Sequence, residues 1–278
     1  MAISEPIRHN LTHARIVAFH DGHRSERGDS VVTEEPMEIR VQAPGQEPVN
    51  VAVTMRTPGG DFELAVGFLF TEGLIAPGDV HRVAYCDNLP GEDQHYNVVS
   101  VTIDRPFDPE SLRRNFFATS SCGICGKAAL EDVEVRCEVV PPGPEVAASL
   151  LVGLPDRLRA GQKVFERTGG LHAAGLFTPE GELVSLREDV GRHNAVDKVI
   201  GERLLNGEVP LAGYILQVSG RSSFEIVQKA AVAGIPIVSA VSAPSSLAVD
   251  AAARLGMTLV GFVRDGRCNV YTHPERVH

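Results

Sequence analysis

The chain has 278 residues, of which 43% are hydrophobic and 22% charged, enough for one large or two modest globular domains. A formal net charge of −10 argues against a nucleic-acid backbone as the main partner, while a local basic pocket for a small anion stays open. No apolar run reaches membrane-spanning length and Met1–His20 has no apolar core, so neither a membrane segment nor a signal peptide is expected; the five cysteines (Cys86, Cys122, Cys125, Cys137, Cys268) are odd in number and scattered, which fits a reducing, cytoplasmic setting.

In chain order, residues 1–28 are polar and broken by Gly22 and Gly28, with one short strand expected at Ile16–Phe19. Val31–Val41 and Val49–Thr57 are rich in β-branched residues and predict a hairpin. Pro58-Gly59-Gly60 stops the second strand, and Asp61 is the expected N-cap of a helix burying Leu64, Ala65, Phe68 and Leu69. Strands are predicted at Val80–Cys86 and His95–Ile103, and a short helix at Asp108–Phe116, which makes the first half a small α+β unit with an antiparallel sheet. Beyond Pro141-Pro142-Gly143-Pro144, residues 145–166 predict helix interrupted around Gly153-Leu154-Pro155, ended by Thr168-Gly169-Gly170. A hairpin follows, His172–Phe177 with Glu182–Leu186. Then come a helix from Val190 to Leu205 and the alternation strand 212–218, helix 222–233, strand 235–241, helix 245–255, strand 257–263. That alternation predicts βαβ units, a largely parallel sheet covered on both faces, and a capping box of Ser222 with Glu225.

Five stretches can carry chemistry. Thr119-Ser120-Ser121-Cys122-Gly123-Ile124-Cys125-Gly126-Lys127 places two thiols three apart between glycines. A C-x-x-C pair serves half a zinc site, a dithiol couple or a nucleophilic thiolate. Structural zinc needs a second ligand pair; the chain has no second C-x-x-C, and its H-x-x-x-H, His9 to His13, lies far upstream of the thiols, so no structural zinc is expected. Thr168–Ala174 brings His172 to a strand start. A zinc deaminase would need a glutamate two residues on, where this chain has Ala174. Arg187–Lys198 sets Arg192, His193 and Asn194 in one turn beside Asp189, with Asp197 four residues after His193, as either a polar pocket or a charged helix start. Ser219, Gly220, Arg221, Ser222 and Ser223 lie between a strand and a helix, where backbone N–H groups favour an anion or simply receive a cap. Last, Phe262, Val263, Arg264, Asp265, Gly266 and Arg267 put two arginines around a turn, either to hold phosphate oxygens beside a stacking ring or as a solvated hairpin.

Six ordered motifs carry a resemblance: TPGGDFELAVGFLFTEGLI at 57–75, FATSSCGICGK at 117–127, TGGLHAA at 168–174, EDVGRHNAVDK at 188–198, SGRSSFEIVQKAAVAGIPIVSAVSAPSSLAV at 219–249 and GFVRDGRCNVY at 261–271. Together they resemble the formate dehydrogenase accessory sulfurtransferase family (FdhD). The resemblance implies an α/β chain, α+β overall, with an N-terminal α+β domain over 1–116. A cytidine-deaminase-like three-layer domain with a mostly parallel sheet would follow over 117–278. It also implies a sulfur carrier that takes sulfur from a cysteine desulfurase as a persulfide and passes it to the molybdenum or tungsten bis-guanine-dinucleotide cofactor before insertion into formate dehydrogenase. By position, Cys122 would bear the persulfide and Cys125 assist, and Phe262–Arg267 would match the cofactor-binding stretch. From the residues themselves rather than the resemblance, Ser219, Gly220, Arg221, Ser222, His172 and His193 are expected as further cofactor contacts. Mo-bis(molybdopterin guanine dinucleotide) would be the cargo, GDP its mimic, and a homodimer the assembly. The alternatives are a zinc-dependent nucleoside deaminase and a non-catalytic cofactor-insertion chaperone.

Overall fold

The computed structural model describes residues 9–86, 96–109 and 137–278. Strands β1 (Leu11–His20) and β2 (His23–Val32) form a two-stranded hairpin across Asp21-Gly22, both with positive φ, the twist a two-residue turn needs. Each strand has ten residues, so the single short strand expected at Ile16–Phe19 understates this arm. Polar β2 residues show no alternation, and their pairing comes from the backbone ladder opposite β1.

Strands β3 (Glu35–Gln42), β4 (Val49–Arg56), β5 (Val80–Tyr85) and β6 (Val98–Ile103) form a second sheet in the order β4-β3-β6-β5. It is not wholly antiparallel, because β3 and β6 run parallel. Met37, Ile39 and Val41 point inward from β3 while Glu38, Arg40 and Gln42 point out, the period-two pattern of a sheet with one buried face. That face packs on helix α1 (Asp61–Thr71), which buries residues nearly all round because it is covered on both sides.

Residues 137–278 supply helices α2 (Ala148–Gly161), α3 (Lys163–Thr168), α4 (Arg192–Leu205), α5 (Phe224–Val232) and α6 (Ser246–Arg254). They also supply strands β7 (His172–Phe177), β8 (Leu183–Asp189), β9 (Ile215–Val218), β10 (Ile237–Ala240), β11 (Thr258–Arg264) and β12 (Arg267–Thr272). The sheet order is β12-β11-β10-β9-β7-β8. Only β9–β10 and β10–β11 pair in parallel, and the other three ladders are antiparallel, so the sheet is mixed rather than mostly parallel. The β7–β8 and β11–β12 hairpins account for two of these, since a short turn reverses the chain, and the third arises because β7 lies between β8 and β9, which the α4 crossover sets running the same way. The two crossover helices, α5 and α6, share one face. Strand order advances one way from β9 to β11, and right-handed crossovers then land on the same side. Helix α2 covers the opposite face with Leu151, Leu154 and Leu158.

Helix α2 runs unbroken through Pro155 to Gly161, with Gln162 as its C-cap, and does not break near Gly153 as predicted. Gly60, with φ 68°, is the N-cap of α1, because the Asp61 carboxylate is engaged by Arg56 and Tyr85. The N-cap of α5 is Ser223, and the buried Ser222 hydroxyl caps nothing, so the expected Ser222–Glu225 box is absent.

Helices α1 and α4 cross at Gly67 and Gly201. A Cβ on Gly67 would stand 1.9 Å from the Asp197 carbonyl oxygen, and one on Gly201 1.9 Å from that of Glu63. This contact lets one hydrophobic cluster run from Ile39 and Val101 of the four-stranded sheet to Leu216 and Val238 of the six-stranded sheet. The expected boundary at residues 116/117 lies outside the described residues, as do most of the helix predicted at Asp108–Phe116 and the whole thiol loop. Among the described residues no helix is long and apolar enough to cross a membrane.

Candidate functional site

Beyond the carboxyl ends of β9 and β10 lies a cleft of about 950 Å³, a size suited to a nucleotide. His172, Ser219, Val241 and the turn Arg264-Asp265-Gly266 form one wall, and α2 and α3 form the other. The loops on the first wall are joined by backbone bonds. Ser242 N–H donates to the Gly220 carbonyl at 3.2 Å, and Phe262 N–H donates to the Ser242 carbonyl at 3.1 Å. Ala173 N–H donates to the Ser219 hydroxyl at 2.9 Å, and Ser219 N–H returns a bond to the Ala173 carbonyl at 2.9 Å. Residues far apart in sequence are thus held in one rim.

Asp265 and Gly266 both have positive φ, closing the β11–β12 hairpin in two residues and projecting Arg264 and Arg267 as an opposed pair. Phe262 also has positive φ, at 53°, where β11 departs from register, a conformation that costs a non-glycine residue about 1–3 kcal/mol. Its ring lies 5.5 Å from the Arg264 guanidinium. Val263 is fully buried under α2, so it belongs to the core and offers the cleft no side chain. Arg264 is the cation this turn contributes to the cleft, while Arg267 and Arg221 are exposed and outside its lining.

His172 lies in the cleft beside Gly220, where a Cβ would stand 3.5 Å from its Nδ1. Burial, then the charge of Arg192, holds its pKa below the ordinary value despite Asp189, so the ring is neutral at pH 7. His193 is placed apart. Its Nε2 is 3.2 Å from the Ser223 hydroxyl and 3.9 Å from Glu225, and burial with the Arg192 and Lys229 charges pushes its pKa down to about 4. Arg192 links the two histidines electrostatically, and its Nε is buried without a hydrogen-bond partner.

Most other polar residues of the 188–198 motif are structural. The Asp189 carboxylate takes bonds from Thr57 N–H (3.1 Å), Gly191 N–H (2.8 Å) and the Asn194 amide (2.9 Å), and pairs with Lys198 at 2.7 Å. Asp197 does not meet His193. It faces α1 and α5, accepting from Thr71 at 2.8 Å and pairing with Lys229 at 3.0 Å. Complete burial outweighs the Lys229 charge and lifts Asp197 to about 6, and Glu72 adds to this by competing for the same ammonium.

The sequence reading missed the second wall, where Asp156, Arg159, Gln162 and Phe165 line the cleft. Their i, i+3 spacing was visible, but the expected break near Pro155 hid the row. Cys122 and Cys125 lie outside the described residues.

Comparison with known proteins agrees along nearly the whole chain. The model of the FdhD/NarQ family matches residues 32–278. A sulfur carrier protein FdhD of Streptomyces coelicolor is 52% identical over 270 residues, 95% of this chain and 94% of the relative. Its counterpart in Mycobacterium tuberculosis is 49% identical over 261 residues, covering 90% and 92%. A crystal structure from Desulfotalea psychrophila, described as that of a candidate formate dehydrogenase accessory protein, superposes with a TM-score of 0.73 at 26% identity. It covers 96% of this chain and 99% of that one.

Proposed function

Since the chain belongs to the FdhD/NarQ family, whose named relatives are sulfur carriers, we propose that it delivers sulfur to a guanine-dinucleotide molybdenum or tungsten cofactor destined for formate dehydrogenase. The observation that carries this reading is the cleft joining His172, Ser219 and Arg264 beyond the strand ends, with a neutral imidazole, a hydroxyl and a guanidinium suited to a phosphorylated cargo. Cys122 and Cys125 supply the sulfur chemistry. The Cys122 thiolate attacks the outer sulfur of a cysteine desulfurase persulfide, and the desulfurase cysteine leaves as thiolate. The Cys125 thiolate then attacks Cys122 Sγ. A disulfide forms, and the terminal sulfur leaves as hydrosulfide for the metal, carrying the two electrons the thiols give up. A dithiol reductant restores the pair. A homodimer and a cytoplasmic setting complete the proposal. The deaminase alternative gains nothing from the fold, because Ala174 is buried in β7 where the proton-shuttling glutamate would be.

Mass spectrometry after incubation with a cysteine desulfurase and cysteine should find one added sulfur on Cys122, and Cys122→Ala should abolish formate dehydrogenase maturation. A persulfide confined to Cys125, with Cys122→Ala fully active, would falsify the assignment.

A further inference from the structure

We propose that the α2 wall of the cleft reads guanine: Asp156 accepts from the base N1–H and 2-amino group, and the Gln162 side-chain amide donates to the 6-oxygen. This rests on the guanine-nucleotide reading above and deepens it.

Gly153, Asp156, Arg159 and Gln162 follow one i, i+3 row of α2, and all four line the cleft. Gln162 is only 4% exposed, and its Nε2 has no hydrogen-bond partner. A buried donor without an acceptor, beside a cleft, points to an acceptor brought by a ligand. The Arg159 guanidinium stacks 3.7 Å over the centre of the Phe165 ring, giving a flat cationic shelf between the two readers. Asp156 and Gln162 are six residues apart, about 9 Å along the helix axis.

The chemistry selects the base. Guanine offers two adjacent donors to a carboxylate and one carbonyl to an amide donor. Adenine turns an unprotonated N1 toward Asp156 and a 6-amino group toward Gln162, and hypoxanthine lacks the 2-amino group. With the base on this wall, Arg264, Ser219 and His172 across the cleft are left for the phosphates.

Calorimetry on the full chain with GDP, IDP and ADP tests the division of labour, with circular dichroism to verify that each variant is folded. Wild type should prefer GDP over both others by about tenfold or more, the worth of one charge-assisted hydrogen bond. Asp156→Asn should bring GDP down to the IDP level, Gln162→Ala should narrow the gap between GDP and ADP, and Arg264→Ala should weaken all three alike. Equal GDP and ADP affinities in wild type, or an unchanged preference in folded Asp156→Asn, would overturn the α2 assignment while leaving nucleotide binding intact. Failure of every nucleotide to bind wild type would overturn both readings.

Discussion

At the scale of single residues, the chain spends most of its buried charge on holding elements together. Arg56 is fully buried and makes a two-pronged pair with fully buried Asp61, at 3.1 and 2.8 Å, while Tyr85 donates a third bond to that carboxylate at 2.9 Å. Removing Asp61 leaves the buried Arg56 guanidinium with Glu35, a partly exposed carboxylate at 3.0 Å, as its remaining ion partner. Asp61→Ala is therefore expected to destabilise the fold by about 3–5 kcal/mol, read as a lower urea midpoint. His193 gives a pH-dependent counterpart. Its folded-state pKa of about 4 lies below the ordinary 6.5, so between those values the unfolded chain holds the extra proton. Stability from this group is intact above about pH 6.5 and is lost as pH falls toward 4. Arg192 and Lys229 oppose protonation, and Glu225 and Glu72 soften it. His193→Gln should lose less stability than wild type between pH 7 and pH 5 in matched urea titrations. An identical or larger loss in the variant would show that other groups dominate acid sensitivity.

At the scale of elements, the crossing of α1 and α4 decides the architecture. Gly67 and Gly201 bring the helices so close that each would-be Cβ points at a backbone carbonyl, which cannot rotate away as a side chain can. The Arg187–Glu63 pair, at 2.5 and 2.7 Å, adds a clamp from β8 to α1. Gly201→Ala should force the helices apart and cost about 1–3 kcal/mol or more, because overpacking here meets backbone on both sides. A thermal midpoint matching wild type would mean the crossing adjusts without cost. The periodicity of α4 was legible in the sequence, since Ala195, Val196, Val199 and Ile200 are all buried as their spacing predicts. Its partner was not legible, because a glycine in a helix reads as a weak former until the facing backbone is known.

At the scale of the whole molecule, the two larger sheets share one cluster while the β1–β2 hairpin stands apart with Phe19 72% exposed. A two-stranded ribbon is marginal alone, whereas the β9–β10–β11 centre is buried on both faces. Hydrogen exchange should thus release amides 11–32 orders of magnitude sooner than those of Ile215–Val218 and Ile237–Ala240, which open only with global unfolding. Equal protection of the hairpin and the central strands would show that the arm is covered in solution.

The sequence by itself determined the alternation of strands and helices after residue 190, the strand end at Ser219, the two-residue turn at Asp265-Gly266 and the family resemblance. The first three rest on local signals, runs of buried β-branched residues and residues tolerant of positive φ, and the resemblance rests on six ordered motifs. Only the tertiary structure decided that the sheet is mixed, that Asp197 serves Lys229 rather than His193, and that Val263 is core. The same holds for His172, Ser219 and Arg264, which share a cleft with Asp156 and Gln162. The reason is that strand pairing, charge partnership and the facing of two walls depend on which distant segments meet. Side-chain type and spacing carry no record of that meeting until the backbone has closed it.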